Sequence, residues 1–177
     1  HSVAYATLSE SLKEKGVMFT DIFTAMQNHS ELVEKYFMKD AVKVDQNRLT
    51  ALHAALVNGG AFLYVPINVV IEEPLQVVFW QEDPDATLVN HVIVVAEENS
   101  KVTFVENYIS SIGNHETVAN IVEEVIAMDN AKISFGAVDN LGEGTTTYIN
   151  RRGVAHENAT IDWALGQMND GNTVSEN

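Results

Sequence analysis

One nine-residue phrase is written three times along this chain, and it limits the possible folds more than any other feature. It reads Ala96-Glu97-Glu98-Asn99-Ser100-Lys101-Val102-Thr103-Phe104, then Ala127-Met128-Asp129-Asn130-Ala131-Lys132-Ile133-Ser134-Phe135, then Ala155-His156-Glu157-Asn158-Ala159-Thr160-Ile161-Asp162-Trp163, with starts 31 and 28 residues apart. The shared pattern is Ala, any residue, acid, Asn, small, polar, β-branched, polar, aromatic. Repetition at a period of 20–50 residues marks stacked architectures, in which one unit cannot bury its apolar face alone. The acid-Asn pair suits a tight turn, because Asn tolerates the left-handed region and its side chain bonds nearby backbone. The small residue keeps the corner uncrowded, and the β-branched and aromatic residues then open a strand. The competing reading is one ordinary β-sandwich whose hairpins resemble one another.

At 177 residues the chain suits one domain with a helical appendage and can bury a sizeable core. It has no run of 18 apolar residues, so no helical membrane span is expected. It begins His1-Ser2 with no initiator Met and no signal-like segment, and reads as part of a longer protein. Zero cysteines exclude disulfides and thiolate metal sites within it, and fit a cytoplasmic location. A net charge of −15 argues against nucleic acid or an anionic membrane as partner.

That charge is unevenly placed. Residues 1–60 hold six Lys/Arg and seven Asp/Glu; residues 61–177 hold four and eighteen. Texture changes at the same point, near Asn58-Gly59-Gly60. Before it, apolar residues fall at helical spacing. Short helices are expected over 8–15, stopped by Gly16, then after Thr20 or Asp21, after Ser30, and over about 46–57. After it, strands are expected over 61–65, 69–71, 75–80, 88–96, 101–108, 118–127, 132–139, 145–154 and 160–166. No helical segment interrupts them, which weighs against a doubly wound α/β fold, where parallel strands need crossover helices. A parallel β-helix needs only turns between its strands. The organisation expected is therefore an α-helical region, 1–60, followed by the first part of a β-helix core, 61–177.

The search for chemistry returns little. His1, His29, His53, His91, His115 and His156 show no spacing that sets two metal ligands on one face. His29 and His115 read as loop residues, and His53 as a helical residue facing solvent or a polar contact. Gly142-Glu143-Gly144 lacks the context of a phosphate cradle. Glu97-Glu98 and Glu123-Glu124 alternate faces on a strand, and are read as solvated surface. Arg151 and Arg152 also point oppositely, so one faces inward and then needs a carboxylate, which reads as a structural ion pair. The serines show no nucleophile elbow. No catalytic, cofactor-binding or metal residue is assigned.

The stretch Leu52-His53-Ala54-Ala55-Leu56-Val57-Asn58-Gly59-Gly60-Ala61-Phe62-Leu63-Tyr64-Val65-Pro66, followed by Val70-Ile71-Glu72-Glu73-Pro74-Leu75-Gln76, resembles the SufB/SufD family of iron–sulfur cluster assembly scaffold proteins. Val94-Val95-Ala96-Glu97-Glu98-Asn99-Ser100 and Tyr148-Ile149-Asn150-Arg151-Arg152-Gly153-Val154-Ala155 continue the match in order. The resemblance implies a right-handed parallel β-helix preceded by helices, with a further helical domain beyond residue 177. It implies a scaffold subunit, not an enzyme, that pairs with a SufB-type subunit and recruits a SufC-type ATPase, the complex assembling an iron–sulfur cluster. SufB-type members carry Glu-Gly-Cys where Glu106-Asn107-Tyr108 stands, and only a thiolate handles sulfur in that way. The departure points to the SufD type. The family's cluster-assembly residues fall beyond Asn177, so this stretch is expected to bind no cofactor.

The alternative is a β-helix polysaccharide lyase or hydrolase with an acidic surface groove. It requires several of Glu124, Asp129, Asp139 and Asp162 within roughly 6 Å of one another beside a basic residue. Two structural expectations complete the reading. Phe104, Phe135 and Trp163 should sit at equivalent, mostly buried places on successive units. The edges of 145–154 and 160–166 should be unpaired and drive self-association into a homo-oligomer.

Overall fold

Each acid-Asn turn of the repeated phrase is a corner between two strands. The structure, a computed structural model, describes residues 2–5, 8–111, 113 and 115–177. His1 lies outside them. The N-terminal part carries β1 (Ser2–Tyr5), α1 (Glu10–Glu14), β2 (Met18–Asp21), α2 (Ile22–Asn28), α3 (Ser30–Tyr36) and α4 (Arg48–Leu56). Eight strands follow: β3 (Gly59–Val65), β4 (Leu75–Gln81), β5 (Leu88–Ala96), β6 (Lys101–Ser110), β7 (Thr117–Ala127), β8 (Lys132–Asn140), β9 (Thr145–Ala155) and β10 (Thr160–Gln167). A short β11 (Thr173–Glu176) closes the order.

Consecutive strands alternate between two sheets, ordered β1-β4-β6-β8-β10 and β11-β9-β7-β5-β3-β2. All pairings among β3 to β11 are parallel, giving a β-solenoid of about four turns. The corners explain the repeat. Asn99, Asn130 and Asn158 have φ of 59°, 59° and 55°, a left-handed conformation that Asn adopts more readily than other side chains. Their amides form a ladder: Asn130 Nδ2 donates to Asn99 Oδ1 (3.1 Å) and Asn158 Nδ2 to Asn130 Oδ1 (3.4 Å). A fourth corner joins it, since Asn68 has φ 62° and accepts from Asn99 Nδ2 at 3.0 Å.

The phrase register holds in the strand pairing. Phe104 pairs with Phe135, and Phe135 with Trp163. Their rings pack in one column, with Phe19 on Phe104 at 6.0 Å, Phe104 on Phe135 at 5.4 Å and Phe135 on Trp163 at 5.0 Å. Phe104 and Phe135 are buried, whereas Trp163 on the last rung is 37% exposed.

The expected 69–71 strand is only one bridge, Val70 to Lys101, because the corner at Asn68 leaves too little straight chain. Two strands inside 1–60 were not anticipated. β1 and β2 pair antiparallel with β4 and β3, and so cover the first edge of each sheet. Leu8 and Val17 belong to the same apolar cluster as the lumen, so the α1 segment closes that end. α2 and α3 bury Ile22, Ala25, Val33 and Tyr36 against Phe62, Ile93, Val95 and Ile126 on the outer wall. α2 starts where expected, with the Asp21 carboxylate accepting from Thr24 N at 2.8 Å. At the other end, β11 pairs with Thr147–Asn150 of β9, so the expected bare edge of β9 is partly covered.

Candidate functional site

β7 carries two adjacent glutamates, and both of its faces are covered. Glu123 points into the lumen with Ile121 and Val125, whereas Glu124 points outward beneath the N-terminal helices. The alternation expected from a strand holds, but neither acid is solvated: both are fully buried. Of the other pair, Glu98 is exposed, while Glu97 accepts hydrogen bonds from Tyr36 (2.8 Å) and Tyr64 (3.3 Å), with Lys35 at 3.7 Å. Burial and the neighbouring Glu97 push the Tyr64 phenol up to about 12.

Inside the lumen, Glu123 meets Arg151 of β9. Arg151 is 1% exposed and donates through Nε to Glu123 (2.5 Å), through Nη1 and Nη2 to Asp139 (3.1 and 2.8 Å), and through Nη2 to Glu106 (3.4 Å). The inward arginine and its carboxylate partner were expected; that three strands each supply a carboxylate was not. A buried charge is tolerated only when paired and hydrogen-bonded. Burial disfavours the Arg151 charge, but Glu123, Asp139 and Glu106 outweigh it and hold the guanidinium charged. Burial, then the charge of Glu123 and a side-chain hydrogen bond to it, raises the Glu106 carboxyl well above its usual range. Glu106 Oε2 and Glu123 Oε1 are buried without any other hydrogen-bond partner. Beside them Tyr108 stacks on Phe79 at 4.8 Å and accepts from Asn90 Nδ2 at 2.8 Å. Tyr108 is thus a buried packing residue with no exposure.

On the outer face a second polar assembly ties helix to wall. Glu124 accepts from the backbone N–H groups of Met38 (2.7 Å) and Val42 (3.1 Å) and lies 2.9 Å from His91 Nε2. His91 Nδ1 lies 2.9 Å from His53 Nε2, and His53 Nδ1 lies 3.3 Å from Asn120 Oδ1. Asn120 Nδ2 donates to the Leu49 carbonyl at 3.2 Å. His53 is fully buried and faces polar contacts, the second of the two settings expected for it. Burial, then His91, lowers its pKa to about 3, so it is neutral. Gly60 makes room here: its φ is +146°, and a Cβ would lie 1.8 Å from the His91 carbonyl oxygen. His53 and His91 are 38 residues apart, so no local spacing foretold their meeting.

The remaining candidates are scattered. His29 is exposed at a helix end, and His115 is exposed in a connection. Asp129 and Asp162 are exposed, Asp139 is in the lumen and Glu124 is on the outer wall, so the four acids that a lyase groove would need lie apart. Among the described residues no group of three or more His, Asp or Glu side chains is placed to hold a metal ion, and no helix is long and apolar enough to cross a membrane.

Two family models match. Residues 3–77 match the SufBD protein N-terminal region, and residues 79–177 match the SufBD core domain of SUF system FeS cluster assembly. The iron-sulfur cluster assembly protein SufD of Bacillus subtilis (strain 168) is 62% identical over 175 residues, covering 98% of this chain and 40% of that protein. Iron-sulfur cluster assembly SufBD family proteins of Staphylococcus haemolyticus and Staphylococcus aureus are each 28% identical over 166 residues, covering 94% of this chain and 36% of theirs. The chain therefore spans about two-fifths of the length of these curated relatives. With a stacked-rung core and both halves matched in order, this chain belongs to the SufBD family.

Proposed function

We propose that this chain is the helical N-terminal region and first rungs of a SufD-type, non-catalytic scaffold subunit working in iron–sulfur cluster assembly in the cytoplasm. The observation that carries the reading is the lumen. Its buried charged residues, Arg151, Glu106, Glu123 and Asp139, pair with one another and not with solvent, so among the described residues this cluster reads as part of a stacked wall and not as a substrate site. The name of the 62% identical relative supports the same role. The parent subunit pairs with a SufB-type subunit and recruits a SufC-type ATPase through parts beyond this stretch, and the cluster is cargo of the complex. Tyr108 supports the SufD assignment, since a phenol cannot carry the sulfur that a thiolate carries.

The test is co-expression of the full-length parent with SufB-type and SufC-type subunits, followed by pull-down. Stable co-purification of both is expected; a parent that retains neither overturns the reading. The stretch described here is expected to bind neither iron nor ATP on its own, for want of thiolates and a phosphate-binding loop. Stoichiometric iron by elemental analysis, or nucleotide protection in a thermal melt, would contradict that.

A further inference from the structure

Where α4 runs into β3, an asparagine side chain does the pairing of a strand. Asn58 follows the helix C-cap Val57 and precedes Gly59, the first residue of β3. Its backbone N–H donates to the Val89 carbonyl at 2.9 Å, and its Oδ1 accepts from Val89 N at 3.0 Å. Its Nδ2 donates to the Thr87 carbonyl at 2.7 Å. The side-chain amide thus bridges to the start of β5 as a further peptide unit would, although Asn58 itself is exposed.

The residue after it makes this amide reactive. Asn58 is the chain's one asparagine followed by glycine; every other asparagine that has a successor is followed by a residue bearing a Cβ. With no Cβ beside it, the Gly59 nitrogen has an unhindered approach to the preceding side-chain carbonyl and a backbone free to turn. Closing that ring requires Asn58 Cγ to swing from β5 back onto its own chain, which breaks both side-chain contacts. We propose that Asn58 is a fold-gated self-modification site: its amide survives while it bridges to β5, and is converted to aspartate and isoaspartate when that bridge opens.

The chemistry needs only water. The Gly59 nitrogen, having given up its proton, attacks Asn58 Cγ. The N–Cγ bond forms as Cγ–Nδ2 breaks, and Nδ2 leaves as ammonia. Water then opens the cyclic imide at either of its carbonyls. Opening at Cγ restores the ordinary backbone with aspartate at 58. Opening at the Asn58 backbone carbonyl leaves the chain running through Cγ, as isoaspartate, with one extra methylene in the main chain. Either product spoils the bridge. A carboxylate has no N–H for the Thr87 oxygen and sets two acceptors 2.7 Å apart. The extra methylene falls directly before the pairing of Gly59 with Asn90, where β3 takes up its register with β5. Ammonia is lost, so the conversion does not reverse when the junction closes, and a chain that has opened here stays marked.

Peptide mapping by mass spectrometry, over a timed incubation in mildly alkaline buffer, reads the products directly. The reference is a synthetic peptide of residues 55–62 in the same buffer. Both products are expected at position 58, with the folded chain at least roughly tenfold slower than the peptide. In denaturing urea the chain should match the peptide. A folded chain that converts as fast as the peptide overturns the gate, and a urea-unfolded chain that does not convert at Asn58 overturns the site. Asn58→Asp, which copies one product, should lower the melting midpoint by roughly 2–5 °C through the lost bridge. An unchanged midpoint overturns the claim that conversion spoils it.

Discussion

Arg151→Met removes the one cation in a lumen that holds three carboxyl groups, and its cost follows from the geometry. Four N–H···O contacts to Glu106, Glu123 and Asp139 disappear, and among the described residues no other base pairs with the cluster. Methionine fills similar space, so the loss reports charge, not a cavity. Stranding a buried charge by removing its partner typically costs about 3–5 kcal/mol, a large share of the 5–15 kcal/mol that usually holds a domain together. The pH dependence gives the argument its sharper edge. Burial raises Glu106 and Glu123, and Arg151 is what pulls both down, so without it both rise further. The folded variant then binds protons that the unfolded chain, with ordinary carboxyls near 4.5, has released. Stability is thus present at acid pH and lost as pH rises, by up to about 1.4 kcal/mol per pH unit for each extra proton held. Urea unfolding from pH 5 to pH 8 measures it. The expected result is a variant that falls away from the unmodified chain steadily with pH. A loss under about 1 kcal/mol, or one that is the same at every pH, would refute the assignment of Arg151 as the neutralising charge.

Three further outcomes are expected. Phe135→Ala, in the middle of the ring column, should lose about 3–5 kcal/mol, and Trp163→Ala distinctly less because Trp163 is 37% exposed; equal losses by denaturant titration would contradict the packing. Asn99→Ala puts a Cβ residue without a bonding side chain at φ 59° and should cost about 1–2 kcal/mol for backbone strain alone, whereas Asn99→Gly relieves the strain and loses only its ladder hydrogen bonds, at about 0.5–1.5 kcal/mol each; thermal melts that rank Gly below Ala would overturn this. His53 takes a proton near 6.5 when unfolded but only near 3 when folded, so between those values the unfolded chain binds more protons and stability falls as pH falls, by up to about 1.4 kcal/mol per unit; His53→Gln should flatten that part of a stability–pH curve.

The strands were legible because their alternation and their asparagine turns both come from nearest-neighbour chemistry. β5 falls on the range expected, and β6 to β10 differ from theirs by only one or two residues. A turn between 65 and 69 was legible, but its place in the asparagine repeat was not, since the Asn68 corner keeps the Asn and the β-branched residues but lacks the acid and the aromatic. The buried glutamates show a different limit. Glu123 and Glu124 look like surface when a strand is assumed to have one wet face. In β7, however, residues from Ala119 to Ala127 are buried on both sides, and strands of that kind read as near-continuous apolar runs. An acid pair inside such a run cannot be solvated; that was the available signal. The Asn90-His91 pair within the apolar run of β5 is the same signal. What no local reading supplies is the partnership of His53, His91 and Asn120, because it is created by stacking the rungs and laying α4 across them.

The asparagine ladder divides the labour between the two sides of each rung. Its corners recur at 31, 31 and 28 residues, and the shortfall in the last interval falls wholly on the far side. There β6 and its connection 111–116 are replaced by a shorter β8 and the connection 141–144, while β7 and β9 both have 11 residues. One side of the coil therefore works as a spine of fixed pitch, and the opposite side as a row of interchangeable fittings. The length difference between rungs is taken up there, and the paired register of β7 and β9 runs unbroken from Thr117 to Ala127.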